Sequence, residues 1–79
     1  MTLHLLTPEW SRTAEVGQVF LPGSEAPFEV LKGHAAIIST LDEGKVRWCL
    51  PDGSPGETVE IKGGIVRVKD DIIEICAQI

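Results

Sequence analysis

The chain has 79 residues, 43% of them hydrophobic and 24% charged, with a formal net charge of -5. That mix belongs to a folded single domain and is too apolar for a disordered chain. A domain this short hides only about 60% of the surface its unfolded chain exposes, so its core is thin, and an acidic balance disfavours nucleic acid or an anionic membrane as a partner held by charge.

Met1–Pro8 carries neither a basic region nor a long apolar stretch, so it does not read as a secretory signal. The longest apolar run, Ala35-Ala36-Ile37-Ile38, is far below the roughly 18 residues a spanning helix requires. Isoleucine and valine together number 15, against 12 for leucine and alanine, and that excess of β-branched residues favours strands. Eight glycines and five prolines are spread along the chain and leave little room for a helix. Turn signals recur at Pro22-Gly23, Pro27, Gly33, Asp42-Glu43-Gly44, the run 51–56, Gly63-Gly64 and Asp70-Asp71. Short strands between such signals predict an all-β fold, a small antiparallel β-sandwich of roughly eight to ten strands without substantial helix, as one domain over 1–79.

In chain order, the first predicted strand is Leu3 to Thr7, stopped by Pro8. The second runs from Thr13 to Leu21 and is weakened at Gly17, where a bulge is expected. Phe28 to Leu31 is short. Ala35 to Leu41 is the most apolar stretch and is expected to be central, buried on both faces. Lys45 to Leu50, Thr58 to Lys62, Ile65 to Lys69 and Ile72 to Ala77 complete the set. With Asp70-Asp71 as a two-residue turn, Lys69 faces Ile72, Val68 faces Ile73, Arg67 faces Glu74 and Val66 faces Ile75. Apolar pairs then share one face and an opposite-charge pair sits on the other, a register that a one-residue slip would destroy. Asp-Asp suits a tight primed turn less well than Asn-Gly, so a longer loop competes.

Residues able to do chemistry are few. His4, His34, Cys49 and Cys76 lack the short-spaced pairs of a zinc site and read as two packed thiols and two unrelated imidazoles. Two cysteines are also fewer than a secreted domain of this size usually carries, which fits a reducing compartment. Ser39 follows His34 by five positions, which on a strand points the two to opposite faces. Asp42-Glu43 and Asp70-Asp71 read as solvated turns, and Gly63-Gly64 lacks the frame of a phosphate loop. The residues alone therefore predict a non-catalytic domain, with no cofactor and no metal, that binds another protein. Such a domain should expose an apolar patch near the start of the Ala35–Leu41 strand, with Trp10 and Trp48 as candidate members and the core the favoured place for Trp48.

Leu21-Pro22-Gly23-Ser24-Glu25-Ala26-Pro27-Phe28-Glu29-Val30-Leu31-Lys32-Gly33-His34-Ala35 resembles the LPG-x-EG-x-FGVLPGHAPL signature of the epsilon subunit of F-type ATP synthases. Thr7-Pro8-Glu9, Leu41-Asp42-Glu43-Gly44 and Ile61-Lys62-Gly63-Gly64-Ile65-Val66-Arg67-Val68 match further family features in order, so the resemblance spans nearly the whole chain. It implies the N-terminal sandwich of a non-catalytic subunit in the rotor's central stalk, linking the gamma subunit to the membrane c-ring and coupling ion-driven rotation to ATP synthesis. The partners implied are gamma and the c-ring within a hetero-oligomeric complex, peripheral on the cytoplasmic face of the inner membrane, with no insertion into the bilayer. Gly23, Ser24, Glu25, Ala26, Pro27 and Phe28 correspond to the segment facing the c-ring, and Gly33, His34, Ala35 and Ala36 to the region against gamma. Pro22-Gly23 and Gly33 also read as backbone geometry alone, and His34 as a structural imidazole. Ala26 and Glu29 replace two family glycines, Pro27 stiffens the segment and Lys32 stands where proline is frequent, changes that bear on the c-ring contacts. The family usually continues into two C-terminal helices that can inhibit ATP hydrolysis, whereas this sequence stops at Ile79, so a subunit without that mode is expected. The competing reading is a free-standing small β module that binds a small molecule or a metal.

Overall fold

The computed structural model describes Met1 to Ile79 as nine strands and no helix. They are β1 (Thr2–Leu6), β2 (Ser11–Glu15), β3 (Gln18–Leu21), β4 (Phe28–Leu31), β5 (Ile37–Leu41), β6 (Gly44–Cys49), β7 (Pro55–Ile61), β8 (Gly63–Lys69) and β9 (Ile72–Gln78). A five-stranded sheet runs β2-β1-β9-β8-β5, and a four-stranded sheet runs β4-β3-β6-β7. The sandwich arises because most strands alternate buried and exposed positions, the edge strand β2 excepted. Leu3 and Leu5, Val66 and Val68, and Ile73, Ile75 and Ala77 point inward from the first sheet. Val19, Leu21, Val30, Val46, Trp48 and Ile61 point inward from the second. No polar side chain is buried between them, so the interior has no unpaired polar group to offset its apolar burial.

The β8–β9 hairpin has the register read from its sequence, Lys69 opposite Ile72 through Val66 opposite Ile75. Its turn is the two-residue form, with Asp70 and Asp71 at φ of 51° and 59°. Both sit in the left-handed region, which aspartate tolerates better than most residues and which the primed turn demands. Arg67 Nη2 donates to Glu74 Oε1 at 2.6 Å on the solvent side, an exposed pair worth about 0.2–1 kcal/mol. Asp70→Asn keeps the turn geometry and removes one of two adjacent negative charges. It is expected to raise the urea midpoint by about 0.5 kcal/mol equivalent, and a lower midpoint would contradict the primed turn.

Three expectations are corrected. The stretch predicted as one strand from Thr13 to Leu21 is two, β2 in one sheet and β3 in the other. Val16 and Gly17 carry the chain across, with the Gly17 amide bonded to the Cys49 carbonyl at 2.9 Å, so Gly17 marks a crossing and not a bulge. The irregularity in pairing lies elsewhere, between Arg47 and Cys49 on β6. Ala35 to Leu41 is neither central nor doubly buried: β5 begins at Ile37, forms the edge of its sheet, and leaves Ile38 70% exposed. The fully antiparallel arrangement fails at one pairing, since β1 and β9 run parallel, Thr2 beside Ile72 through Leu6 beside Cys76. A parallel neighbour distant in sequence leaves no local signature.

Candidate functional site

Of the two segments singled out by sequence, 33–36 runs into the start of β5, and 23–28 begins beside its far end and shares a groove with Ile37 to Thr40. Segment 23–28 connects β3 to β4 in the four-stranded sheet, yet its start reaches across to the other sheet. Gly23 forms a bridge to Leu41, and the Ser24 amide donates to the Thr40 carbonyl at 3.0 Å. The Asp42 amide donates to the Pro22 carbonyl at 2.8 Å. Side chains reinforce this seam: Thr40 Oγ1 donates to Ser24 Oγ, and Ser24 Oγ to Asp42 Oδ1, each at 2.9 Å. Glycine is required at position 23 for space. A Cβ there would come within 2.5 Å of the Ala26 carbonyl oxygen and 2.7 Å of the Phe28 ring. The tip, Ser24 to Pro27, is exposed, while Phe28 packs against the core and anchors the far end. A groove separates the tip from β5, lined by Ala26, Pro27, Ile37 and Ile38 among others.

Segment 33–36 connects β4 to β5. The His34 amide donates to the Leu31 carbonyl at 3.0 Å and closes a turn. Gly33 sits in it at φ 81° with open space around its Cα, so here glycine serves the backbone angle. The Gly33 amide donates to Asp71 Oδ1 at 2.8 Å, tying this turn to the β8–β9 turn. His34 Nδ1 donates to the Ala35 carbonyl at 2.7 Å, which commits that ring nitrogen to its own chain. Ala35 and Ala36 are exposed, and with Leu31 and Ile38 they surround the start of β5 with accessible apolar surface. Arg67 and Lys69 flank the groove at Ala36 and Ile38. The expected apolar patch is therefore present, without Trp10, which is half-buried against the core with Arg12 over its ring. Trp48 is in the core.

The structure gives each segment its own anchors, Thr40, Leu41 and Asp42 for 23–28 and Leu31 and Asp71 for 33–36. It also recruits residues that the sequence reading assigned to solvated turns. Asp42 and Asp71 do lie in turns, but their carboxylates reach the two segments. Acidic turn residues are so frequent that only the spatial neighbour distinguishes these two. A second exposed apolar row, Leu6, Cys76 and Ile65 in adjacent strands of the five-stranded sheet, was not anticipated.

Charge is distributed unevenly. Glu25, Glu29, Asp42 and Glu43 lie on or beside the first segment with Lys45 near its anchor, while Lys32, Arg67 and Lys69 lie around the second together with Asp70 and Asp71. The one carboxylate clearly displaced from the usual 3.8 is Asp52, held down by the Ser54 hydroxyl first and then by the Ser54 amide. It lies in the β6–β7 turn, outside both segments. His4, His34, Cys49 and Cys76 are not gathered: His4 is on β1 bonded to Thr13, Cys49 on β6, Cys76 on β9, and no three metal-capable side chains meet.

Comparison with known proteins bears on this arrangement directly. The family model described as ATP synthase, Delta/Epsilon chain, beta-sandwich domain matches residues 1–79. The ATP synthase epsilon chain of Chlorobaculum tepidum is 41% identical over 68 residues, covering 85% of this chain and 76% of that one. The epsilon chain of Chlorobium limicola is 37% identical, covering 84% and 75%, and that of Wolinella succinogenes is 33% identical, covering 98% and 59%. Among solved structures, a chain of the central stalk/c-ring of the Tetrahymena thermophila mitochondrial ATP synthase superposes with a TM-score of 0.85 at 19% identity, covering 100% of this chain and 63% of that chain. A chain of the Euglena gracilis mitochondrial ATP synthase gives 0.85 at 22%, covering 95% and 48%, and both likenesses establish the fold. The sandwich, its two anchored segments and the match over every residue lead to one conclusion: the chain belongs to the delta/epsilon-chain family of ATP synthases and is similar throughout to epsilon chains, the non-catalytic stalk subunits of that complex.

Proposed function

We propose that this domain links the gamma subunit to the membrane c-ring in the rotor and transmits torque between them, coupling ion-driven rotation to ATP synthesis. It works peripherally, on the cytoplasmic face of the inner membrane. Segment 23–28 faces the c-ring, and segment 33–36 with the start of β5 lies against gamma. The observation that carries this reading is that the two segments have separate anchors, Thr40, Leu41 and Asp42 for 23–28 and Leu31 and Asp71 for 33–36, on a sandwich with no buried polar side chain. A part that must touch two partners at once requires two separate faces and a stiff body between them, and a close-packed interior transmits strain. The chemistry of the faces differs in the same sense. The gamma side is apolar with a border of both charges, Lys32, Arg67 and Lys69 beside Asp70 and Asp71, and the ring side is small and exposed and carries Glu25.

The reading is tested by pull-down with the tagged domain at modest salt. Recovery of gamma-containing head assemblies and of detergent-solubilised c-ring is expected, and recovery of neither would sink it. Glu25 makes no ion pair within the chain and is exposed. Glu25→Gln is therefore expected to weaken c-ring binding by about threefold and to flatten its salt dependence, with gamma binding unchanged. Equal affinity and an equal salt slope would remove Glu25 from the ring contact.

A further inference from the structure

Both segments share a feature that the resemblance does not supply. Each is held by an aspartate that belongs to a turn outside it. Asp42 follows β5 and accepts from Ser24 Oγ, which also accepts from Thr40 Oγ1. Asp71 precedes β9 and accepts from the Gly33 amide. The partners are 18 and 38 residues apart in sequence, so these are tertiary clips and not local turn bonds. The two clips share no residue. Each also sits beside backbone bonds that hold its aspartate in place: the Asp42 amide to the Pro22 carbonyl, with the Ser24 amide to the Thr40 carbonyl, on one side, and the Thr2 amide to the Asp71 carbonyl on the other.

We propose that Asp42 and Asp71 are positioning residues, one for each interface: Asp42, through Ser24, fixes the ring-facing segment, and Asp71, through the Gly33 amide, fixes the gamma-facing segment. The inference rests on the placement of the segments proposed above and adds how each is held ready. A segment already ordered in its bound shape loses less conformational freedom on binding. A charged acceptor makes the stronger class of hydrogen bond, so loss of one clip should show in affinity. Because the clips are separate, each should act on its own segment alone.

The substitutions can be chosen so that folding and positioning separate. Asp71→Gly removes the acceptor while making the left-handed backbone at that position easier, so the hairpin keeps or gains stability. Asp71→Asn and Asp42→Asn retain an oxygen acceptor and serve as rescues. Asp42→Ala and Ser24→Ala break the other clip at an exposed site away from the core.

Amide hydrogen exchange of the whole chain is measured together with binding to solubilised c-ring and to an epsilon-free head assembly containing gamma. Asp42→Ala and Ser24→Ala are expected to speed exchange in 23–28 and weaken c-ring binding by about three- to tenfold, with gamma binding unchanged. Asp71→Gly is expected to speed exchange at 33–36 and weaken gamma binding by a similar factor, with c-ring binding unchanged. Both asparagine variants should restore most of the lost protection and affinity, falling short of wild type only by the charge they lack. The inference is overturned if the variants bind as wild type does, if each substitution weakens both interfaces equally, or if the asparagine variants fail to rescue. A wild-type domain that binds neither partner would instead refute the proposed function, so the two failures are distinguishable.

Discussion

Trp48→Ala is expected to cost about 3–5 kcal/mol and to leave the domain at or near its unfolding midpoint at 25 °C. The indole is 2% exposed on β6, paired with Val19 on β3, and is the largest fully buried side chain. Its removal leaves a cavity in the middle of the four-stranded sheet's inner face, where the facing strands are tied into the other sheet and cannot collapse inward. A domain of this length has about 4–12 kcal/mol of total stability, so the loss takes a large part of it. Trp48→Phe retains an aromatic ring and should lose less than half as much. Urea unfolding followed by far-ultraviolet circular dichroism measures both. A loss under about 1 kcal/mol for the alanine variant would show that the core is not organised around this residue.

The same residue shows what was legible in the chain. Trp48 on a strand reads as core because its neighbours alternate, and the β8–β9 hairpin reads to the residue because both of its strands alternate about a turn. Local pattern sufficed wherever a strand has one buried face and a near neighbour in sequence. It failed where the partner is distant. β2, with the sequence SRTAE, has almost no apolar residue to announce it and owes its pairing to β1 at the sheet edge. β5 misleads in the opposite direction. An apolar run of Ala35 to Ile38 has the composition of a buried central strand, but here it leads into an edge strand and leaves Ala35, Ala36 and Ile38 exposed.

For the candidate segments, the residues were legible and their support was not. The Pro-Gly and Gly-His-Ala features marked both segments through the family signature. The carboxylates that hold them lie 18 and 38 positions away in runs indistinguishable from solvated turns. Glycine illustrates the limit well. Gly33 serves a backbone angle and Gly23 a close approach, two different physical demands written with one letter.

Gly64 is a third case, and its substitution is expected to have the second-largest effect. Gly64 lies within β8, opposite Ala77 on β9 and Leu41 on β5. A Cβ built there would lie 2.4 Å from the Cys76 carbonyl oxygen and 3.0 Å from the Ala77 Cα. Both are backbone atoms of the adjoining strand, so no side-chain rotation relieves the clash and the strands themselves must part. Overpacking of this kind costs about 1–3 kcal/mol, and the backbone origin puts Gly64→Ala at the upper end. For a chain of this size that is a fall of about 10 °C or more in Tm, readable by calorimetry. The displacement should also travel. Leu41, on the other side of Gly64, forms the bridge to Gly23 where segment 23–28 begins. Faster amide exchange at Ser24, whose amide bonds to Thr40, is therefore expected in Gly64→Ala, with the Gly33 amide much less affected. A Tm within a degree or two of wild type would mean that the strands separate freely at this point, and the stiffness that the proposed torque transmission requires would then have to come from elsewhere.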